Sequence, residues 1–323
     1  MPRVALTGAL LLLVLAAILP AAHAQTGKWP EKTVRMIVPL APGGGTDIVA
    51  RMLAARLTAE FGQQFISDNR AGAGGAIGAE IAARANPDGY TVITVPASYA
   101  ANAALYKLPY DPVKGIAPIM MITTGPLILT VHPSVQATNL KEFIALVRAK
   151  PGTLNFGSSG SGSFSHLAAE LFRQMSRTDM VHVPYKSAGP ALVDLLGGHI
   201  QIFFGSGPST GAHIRASRLR GLAVTTGQRS PALPDLPAIS ELVPGYAADF
   251  WFGMWAPAGT PKEIISQLHQ GLARILKQPD VLEQLRADGM EPVRSTPEEF
   301  ARVIARDIAM WSKVVKAGNI KVD

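Results

Sequence analysis

The 323-residue chain contains no cysteine. It therefore cannot form disulfides or thiolate metal sites, and no cysteine can carry a lipid anchor behind an export signal. Its histidines form no i, i+4 pair with a glutamate between two ligands. We predict neither a metal site nor a bound cofactor.

Long apolar runs are absent after the first 24 residues, so no later segment is long enough for a transmembrane helix. Before that point, Arg3, the apolar run Ala5–Leu19 and the small-residue site Ala22–Ala24 have the order of a secretory signal. We expect residues 1–24 to be a cleaved signal peptide. An exported chain of this size without disulfides points to the periplasm of a Gram-negative bacterium.

Clusters of basic residues are also absent, although the formal net charge is +7. Because the lysines and arginines are scattered along the chain, we predict no nucleic-acid partner. A mildly basic exported protein can still attract anionic solutes.

What the chain does contain is a regular alternation of strand and helix patterns. Such alternation predicts an α/β fold in which mainly parallel sheets are flanked by helices. The C-terminal part reads as helical, and Asp249–Ala256 before it reads as a buried extended crossing. The predicted strands are Val34–Leu40, Gln64–Ser67, Thr91–Val95, Leu127–Val131, Leu154–Phe156, Val181–Pro184, Ile200–Phe204 and Gly221–Thr225. Capping boxes are predicted at Thr260–Glu263 and Thr296–Glu299.

The first strand runs into three glycines, Gly43 to Gly45, and Thr46 opens a helix. Bare backbone N–H groups at a helix N-terminus favour an anion. Asp47 is expected to complement the helix dipole and to pair with Arg51. The spacing matches neither the phosphate loop nor the dinucleotide fingerprint. The apolar positions expected on the buried face are Ile48, Met52, Ala55 and Leu57.

Three glycine- or serine-rich turns, at 43–46, 157–163 and 185–190, each end at a predicted helix N-terminus. Ligands of open α/β sheets bind at the carboxyl ends of the strands, so two facing sheets would aim these turns into one cleft. The predicted ligand is small and anionic, held by backbone N–H groups, serine hydroxyls and Lys186. His166 is a candidate donor toward a bound carboxylate, whereas His182 fits a core position. The alternative is that these are tight turns without a ligand.

An enzyme is the competing class. Gly207–Gly211 matches the G-x-S-x-G pattern with Ser209 as a nucleophile and His269 downstream as a base. The pattern is short, glycine is abundant, and no acidic residue pairs with a histidine in an evident way. We therefore predict that the chain is not an enzyme, with a periplasmic serine hydrolase as the alternative.

Five ordered motifs resemble a known family. They are PLAPGGGTDIVAR at 39–51, NRAGAGG at 69–75, NPDGY at 86–90, SSGSGSFSHL at 158–167 and VPYK at 183–186. The chain is similar in these segments to the Bug receptors, the periplasmic substrate-binding proteins of tripartite tricarboxylate transporters. The resemblance extends over essentially the whole chain after the signal.

The resemblance implies a two-lobed, type II-like periplasmic binding protein fold with two crossing strands that closes on a small organic carboxylate. Lobe 1 would be residues 25–126 plus 250–323, and lobe 2 residues 127–249. The implied partners are the permease subunits of a tripartite tricarboxylate transporter, and the receptor is expected to be a monomer. A receptor of the same fold that reports to a sensor kinase is the alternative.

The ligand-binding residues expected from the turns and from the resemblance fall into five segments. They are Leu40, Ala41, Gly43, Gly44, Gly45, Thr46 and Asp47; Ala97, Ser98 and Tyr99; Ser158, Ser159, Gly160, Ser163 and His166; Tyr185 and Lys186; and Phe204, Gly205 and Ser206. Two positions depart from the family pattern: Ser187 stands where glycine is usual, and Gly205 where many relatives carry aspartate. The missing acid predicts a carboxylate without an amino group.

Overall fold

The structure, a computed structural model, describes residues 29–318 and residue 320. The predicted signal peptide lies outside the described residues. The strands are β1 (Val34–Val38), β2 (Phe65–Asn69), β3 (Thr91–Pro96), β4 (Ile116–Val131), β5 (Asn155–Ser158), β6 (Val181–Pro184), β7 (Ile202–Ser206), β8 (Arg220–Val224), β9 (Asp249–Pro257) and β10 (Glu291–Pro292). The α-helices are α1 (Gly45–Phe61), α2 (Ala76–Ala83), α3 (Ser98–Leu105), α4 (Leu140–Ala149), α5 (Phe164–Ser176), α6 (Ala188–Leu196), α7 (Gly207–Arg215), α8 (Lys262–Ile275), α9 (Pro279–Ala287) and α10 (Pro297–Gly318).

Two groups of parallel strands form the body of the molecule. In the first group, β1 lies between β2 and β3 and is parallel to both. In the second group, β5 is parallel to β6 and to β7. Apolar side chains of β1 and β3 such as Met36 and Ile93 are fully buried, as expected for strands covered by helices on both faces. The predicted α/β fold with mainly parallel groups is confirmed.

The long strands β4 and β9 connect the two groups. They pair antiparallel to each other from Ile116 opposite Pro257 to Pro126 opposite Asp249. β9 also pairs with β3, and β4 also pairs with β7 and β8. The sequence predicts the β9 crossing correctly but starts β4 only at Leu127. Pro118 and Pro126 normally argue against a central strand, and the pairing accommodates this segment with register shifts after Pro118 and Met121.

The buried face of α1 differs from the predicted one. Ala55 is exposed, and Ile48 and Met52 are only half-buried. The side chains that face the core are Val49, Ala50, Leu53, Ala54 and Leu57. Both sides of this helix carry apolar residues at i, i+4 spacing, so periodicity alone cannot choose between them. Of the predicted face, Leu57 is confirmed.

Of the two capping boxes predicted in the C-terminal part, one is confirmed and one is wrong. The Thr296 N–H donates to Glu299 Oε2 at 2.8 Å, and the Glu299 N–H donates to Thr296 Oγ at 3.1 Å, which confirms that capping box. The box at Thr260 is wrong, because its hydroxyl donates to the Pro257 carbonyl and the cap of α8 is Pro261. Within the described part of the chain, no helix is long and apolar enough to cross a membrane.

Candidate binding site

A cavity of about 40 Å³ lies between the two parallel groups, at the carboxyl ends of their strands. We call it the inner cavity. Its wall consists of Leu40, Gly44, Gly45, Thr46, Pro96, Ser98, Leu127, Ser159, Ser163, Phe164, Ser165, Ala188, Phe203, Phe204, Ser206, Ser209, Phe250 and Phe252. The structure thus brings the three glycine- and serine-rich turns together, as their chemistry suggests.

Five helices begin at the inner cavity. The first turns or cap positions of α1, α3, α5, α6 and α7 all contribute to its wall. The N-terminus of a helix carries unpaired N–H groups and the positive end of the helix dipole. Among the residues that the structure describes, no charged side chain lines this cavity. Its polarity therefore comes from backbone N–H groups and hydroxyls, and the helix dipoles make the electrostatic potential inside it positive.

The five helix starts differ in how they are capped. Ser163 caps α5 by accepting from the His166 N–H, and Ser187 caps α6 by accepting from the Gly189 N–H. By contrast, the cap residues of α1, α3 and α7, namely Gly44, Ala97 and Ser206, accept no such side-chain hydrogen bond. The first turns of these three helices are buried. Buried N–H groups require an acceptor, and an anionic oxygen in the cavity would provide one.

The glycine turn is shaped by two different constraints. Gly43 has φ of +81°, which only glycine adopts readily. Gly44 has φ of −90° and ψ of 167°, a conformation open to any residue. Its constraint is the opposite wall, since a Cβ at Gly44 would lie 3.3 Å from the Ala188 backbone nitrogen. A Cβ at Gly45 would lie 2.3 Å from Ser206 Oγ. Glycine here lets the two turns approach closely.

Asp47 holds this turn from behind. Its Oδ2 accepts from the Gly43 N–H at 3.0 Å and from Arg51 Nε at 2.9 Å, and its Oδ1 accepts from Asn69 Nδ2 at 3.0 Å. Burial alone would raise the pKa of Asp47, but the hydrogen bonds from Arg51, Gly43 and Asn69 bring the pKa below its usual value. The carboxylate is thus ionised and committed to the turn. The predicted pair with Arg51 is confirmed.

His166 does not have the geometry predicted for it. Its Nδ1 accepts from the Gly162 N–H at 3.2 Å, beneath the serine turn, and its ring stacks on His182 at a centroid distance of 4.1 Å. Burial, with the neighbouring His182 and Arg173, lowers the pKa of His166 to about 3. The side chain is therefore a neutral support of the turn, not a donor toward the cavity. Its helical position alone could not reveal which way the ring faces.

A second cavity of about 200 Å³ lies next to the inner cavity. We call it the outer pocket. It shares Leu40 and Ser159 with the inner cavity. Its other wall residues are Gly72, Ala73, Gly74, Tyr106, Gly160, Ser161, Pro184, Tyr185 and Lys186.

The predicted site residues divide between these places. The wall of the inner cavity contains Leu40, Gly44, Gly45, Thr46, Ser98, Ser159, Ser163, Phe204 and Ser206. The wall of the outer pocket contains Gly160, Tyr185 and Lys186. Tyr99 lines neither, because its hydroxyl donates to the Pro112 carbonyl at 2.7 Å and its ring packs on Trp255. The remaining predicted residues line neither space: Ala41, Gly43, Asp47, Ala97, Ser158, His166 and Gly205.

Sequence reasoning missed most of the aromatic wall. Phe164, Phe203, Phe250 and Phe252 line the inner cavity. Phe250 and Phe252 are two residues apart on one strand, so the alternation of strand faces could have placed them together.

Ser209, the candidate nucleophile, also lines the inner cavity, but its hydroxyl donates to the Ser206 carbonyl at 2.7 Å. The candidate base His269 has its Nε2 3.0 Å from the Ser295 carbonyl oxygen. The candidate nucleophile and the candidate base therefore each contact a different backbone carbonyl.

A sequence model of the tripartite tricarboxylate transporter family receptor matches residues 49–320. The chain belongs to this receptor family. It is 36% identical to BugT of Bordetella pertussis over 306 residues, or 94% of each chain. The solved periplasmic binding protein BugD has a TM-score of 0.87 at 31% identity, covering 91% of this chain and all of its own. R. palustris Rpa4515, solved with adipate, has a TM-score of 0.87 at 38% identity with the same coverage.

These matches confirm the Bug-type resemblance and the periplasmic binding protein fold. The chain is a periplasmic solute-binding receptor, and its family is one of receptors and not of enzymes.

Proposed function

We propose that the chain captures a small organic carboxylate in the inner cavity and delivers it to the membrane permease of a tripartite tricarboxylate transporter. The observation that carries this proposal is the meeting of three buried, uncapped helix N-termini, those of α1, α3 and α7, in one cavity without charged side chains. A carboxylate offers the acceptors that these N–H groups need and the charge that the helix dipoles favour. The adipate in the related Rpa4515 supports the same ligand class.

In this proposal, the carboxylate and the carbon atoms of the ligand contact different parts of the wall. Carboxylate oxygens would accept from the N–H groups at 44–46 and from serine hydroxyls such as Ser159. The phenyl rings of Phe204, Phe250 and Phe252 would cover the adjacent carbon atoms. This division of a few polar donors and a larger apolar wall is the usual composition of small-molecule sites.

We infer that residues 25–126 plus 250–323 and residues 127–249 are two lobes that move relative to each other. The strands β4 and β9 connect them, and hydrogen bonds between the two lobes hold them together. The Tyr106 hydroxyl of one lobe donates to the Ser161 carbonyl of the other at 2.9 Å, and the Ala41 N–H donates to the Lys186 carbonyl at 3.4 Å. Closure of this kind buries the ligand. The ligand leaves when the lobes separate again.

Small-angle scattering tests this motion. Because ligand adds donors and acceptors between the lobes, we expect a smaller radius of gyration with a bound dicarboxylate than without it. Equal radii in both states, at a ligand concentration shown to saturate the protein, would contradict lobe closure.

We also infer that binding occurs without turnover and as a monomer. The Ser209 hydroxyl is committed to the Ser206 carbonyl, so it lacks the adjacent base that a nucleophile needs. Mass spectrometry of ligand retained by gently purified protein should recover an intact carboxylate. Recovery of a hydrolysed product that is absent with Ser209→Ala would support the hydrolase alternative instead.

Replacing His166 with phenylalanine should weaken carboxylate binding about tenfold. The ring keeps its stacking partners, but the Gly162 N–H loses its acceptor, and an unsatisfied buried donor costs about 1–3 kcal/mol. The serine turn should loosen, so part of this cost appears in affinity measured by titration calorimetry. His213→Phe, on α7 outside the cavity wall, is the matched control. Equal affinities for the two variants would exclude a positioning role for His166.

A further inference from the structure

The G-x-S-x-G motif at the start of α7 makes a contact between the two proposed lobes. α7 belongs to lobe 2, and the end of α9, in lobe 1, packs against it. Gly207 and Gly211 are buried and lie one helical turn apart, so they share one side of α7. A Cβ at Gly207 would overlap the Asp288 carbonyl oxygen, and a Cβ at Gly211 would lie 3.8 Å from the Ala287 carbonyl oxygen. The two glycines therefore let the backbone of the other lobe approach α7 closely.

Arg215, one further turn along α7, adds a polar contact to the same place. Ala287 is the last residue of α9 and Asp288 is its cap. Arg215 Nη1 donates to the Ala287 carbonyl, and its Nη2 lies 3.9 Å from Asp288 Oδ1. The last carbonyls of a helix lack partners within the helix, and a cation there complements the helix dipole. Among the described residues, no other arginine–carboxylate ion pair crosses between the lobes.

The contact holds a helix whose first turn forms part of the candidate binding site. Ser206 and Ser209, at the cap and in the first turn of α7, line the inner cavity. Ser206 lies against the first turn of α1 in lobe 1, because a Cβ at Gly45 would overlap the Ser206 hydroxyl. α7 has nine residues, so it is about 13 Å long and moves as one rigid unit. Its contact with α9 therefore affects how the first turns of α1 and α7 lie relative to each other.

We propose that Arg215 is a positioning residue for ligand binding. It joins α7 of lobe 2 to the end of α9 in lobe 1, and so stabilises the lobe arrangement in which the first turns of α1 and α7 face one ligand. This inference rests on the proposed function, because it uses the two lobes and the carboxylate site inferred there. Arg215 lines neither the inner cavity nor the outer pocket. Its effect on affinity comes from the population of closed molecules, since a ligand held by both lobes binds that arrangement best.

Titration calorimetry with succinate and glutarate as probes measures the effect on affinity. We expect Arg215→Met to bind the better of the two acids about fivefold more weakly than the wild type. Arg215→Lys should recover part of this loss, because lysine keeps the charge but not the planar fork of donors. Arg274→Met is the matched control and should bind like the wild type. The side chains of Arg215 and Arg274 are 53% and 56% exposed, but Arg274 donates to Glu60 within lobe 1, at 2.7 Å.

Spin labels on the two lobes give a readout that does not depend on ligand contacts. The chain has no cysteine, so two introduced cysteines take the labels specifically. Gln267→Cys on α8 and Lys141→Cys on α4 place one label at an exposed position of each lobe. Distances measured by pulsed electron resonance give the fraction of closed molecules. We expect a smaller closed fraction in Arg215→Met than in the wild type at every acid concentration below saturation, and no change in Arg274→Met. Circular dichroism checks that each variant is folded.

Two results would overturn the inference while leaving the carboxylate site in place. One is equal affinity and equal closed fraction in Arg215→Met and the wild type. The other is a loss of affinity at an unchanged closed fraction. If the wild type binds neither acid, the proposed function fails, and the ligand-free protein still decides the role of Arg215. A smaller closed fraction in ligand-free Arg215→Met would then support the lobe contact, and an equal fraction would reject it.

Discussion

Gly44→Val is expected to weaken carboxylate binding about 100-fold, roughly 3 kcal/mol, while the ligand-free protein unfolds within a few degrees of the wild type. Valine fits the backbone, because Gly44 has extended φ and ψ angles. Its side chain, however, would meet Ala188 across the cavity, because even a Cβ added at Gly44 would lie only 3.3 Å from the Ala188 backbone nitrogen. The lobes could then not close, and the N–H groups of the turn would be shielded from the ligand.

Gly227→Val is the matched control for this substitution. Gly227 is exposed, lies outside both cavity walls, and a Cβ there would meet only Ala247 at 3.5 Å, an ordinary contact. Titration calorimetry gives the affinity, and thermal unfolding without ligand gives the stability. If Gly44→Val binds as tightly as Gly227→Val, the carboxylate site is elsewhere.

The receptor is expected to reject α-amino acids in favour of the matching acids without an amino group. In the part of the chain that the structure describes, no carboxylate lines the inner cavity, and Asp47 is committed to its turn. An acid cannot be accommodated at Gly205 either, because a Cβ there would lie 2.3 Å from Thr210 Cγ2. A buried ammonium would therefore lack an anionic partner and would face five positive helix ends.

The energetic balance sets the size of this effect. An uncompensated buried ammonium costs several kcal/mol, on the order of 100-fold or more in affinity. The phenyl rings of the wall could return about 2 kcal/mol through cation–π contact, which is less than the cost.

A thermal-shift comparison of succinate with aspartate, and of glutarate with glutamate, measures the difference directly. Larger stabilisation by the two amino acids than by the two diacids would contradict this prediction.

The parts of the site that follow from local sequence were predictable. Apolar runs that end in glycine or serine turns before helices gave the strands, the turns and their convergence at one edge. The role of Asp47 also followed, because its partner Arg51 is one helical turn away. These features depend on neighbours along the chain, for which spacing is a sufficient guide.

The parts that depend on distant contacts were not predictable. Gly44 is constrained by Ala188 rather than by its own backbone angles, and Tyr99 is held by Pro112 and Trp255 behind the cavity. The buried ring of His166 stacks on the half-buried ring of His182, which lies on a different element 16 residues further along the chain. Such outcomes are decided by which elements pack together, and a single sequence does not specify that.

The central claim is that a carboxylate binds to the uncapped helix N-termini of the inner cavity. A crystal structure with the dicarboxylate that gives the largest thermal shift tests it most directly. We expect one carboxylate within hydrogen-bond distance of backbone N–H groups at residues 44–46. Ligand density outside the inner cavity, or a carboxylate held there only by side chains, would contradict the claim.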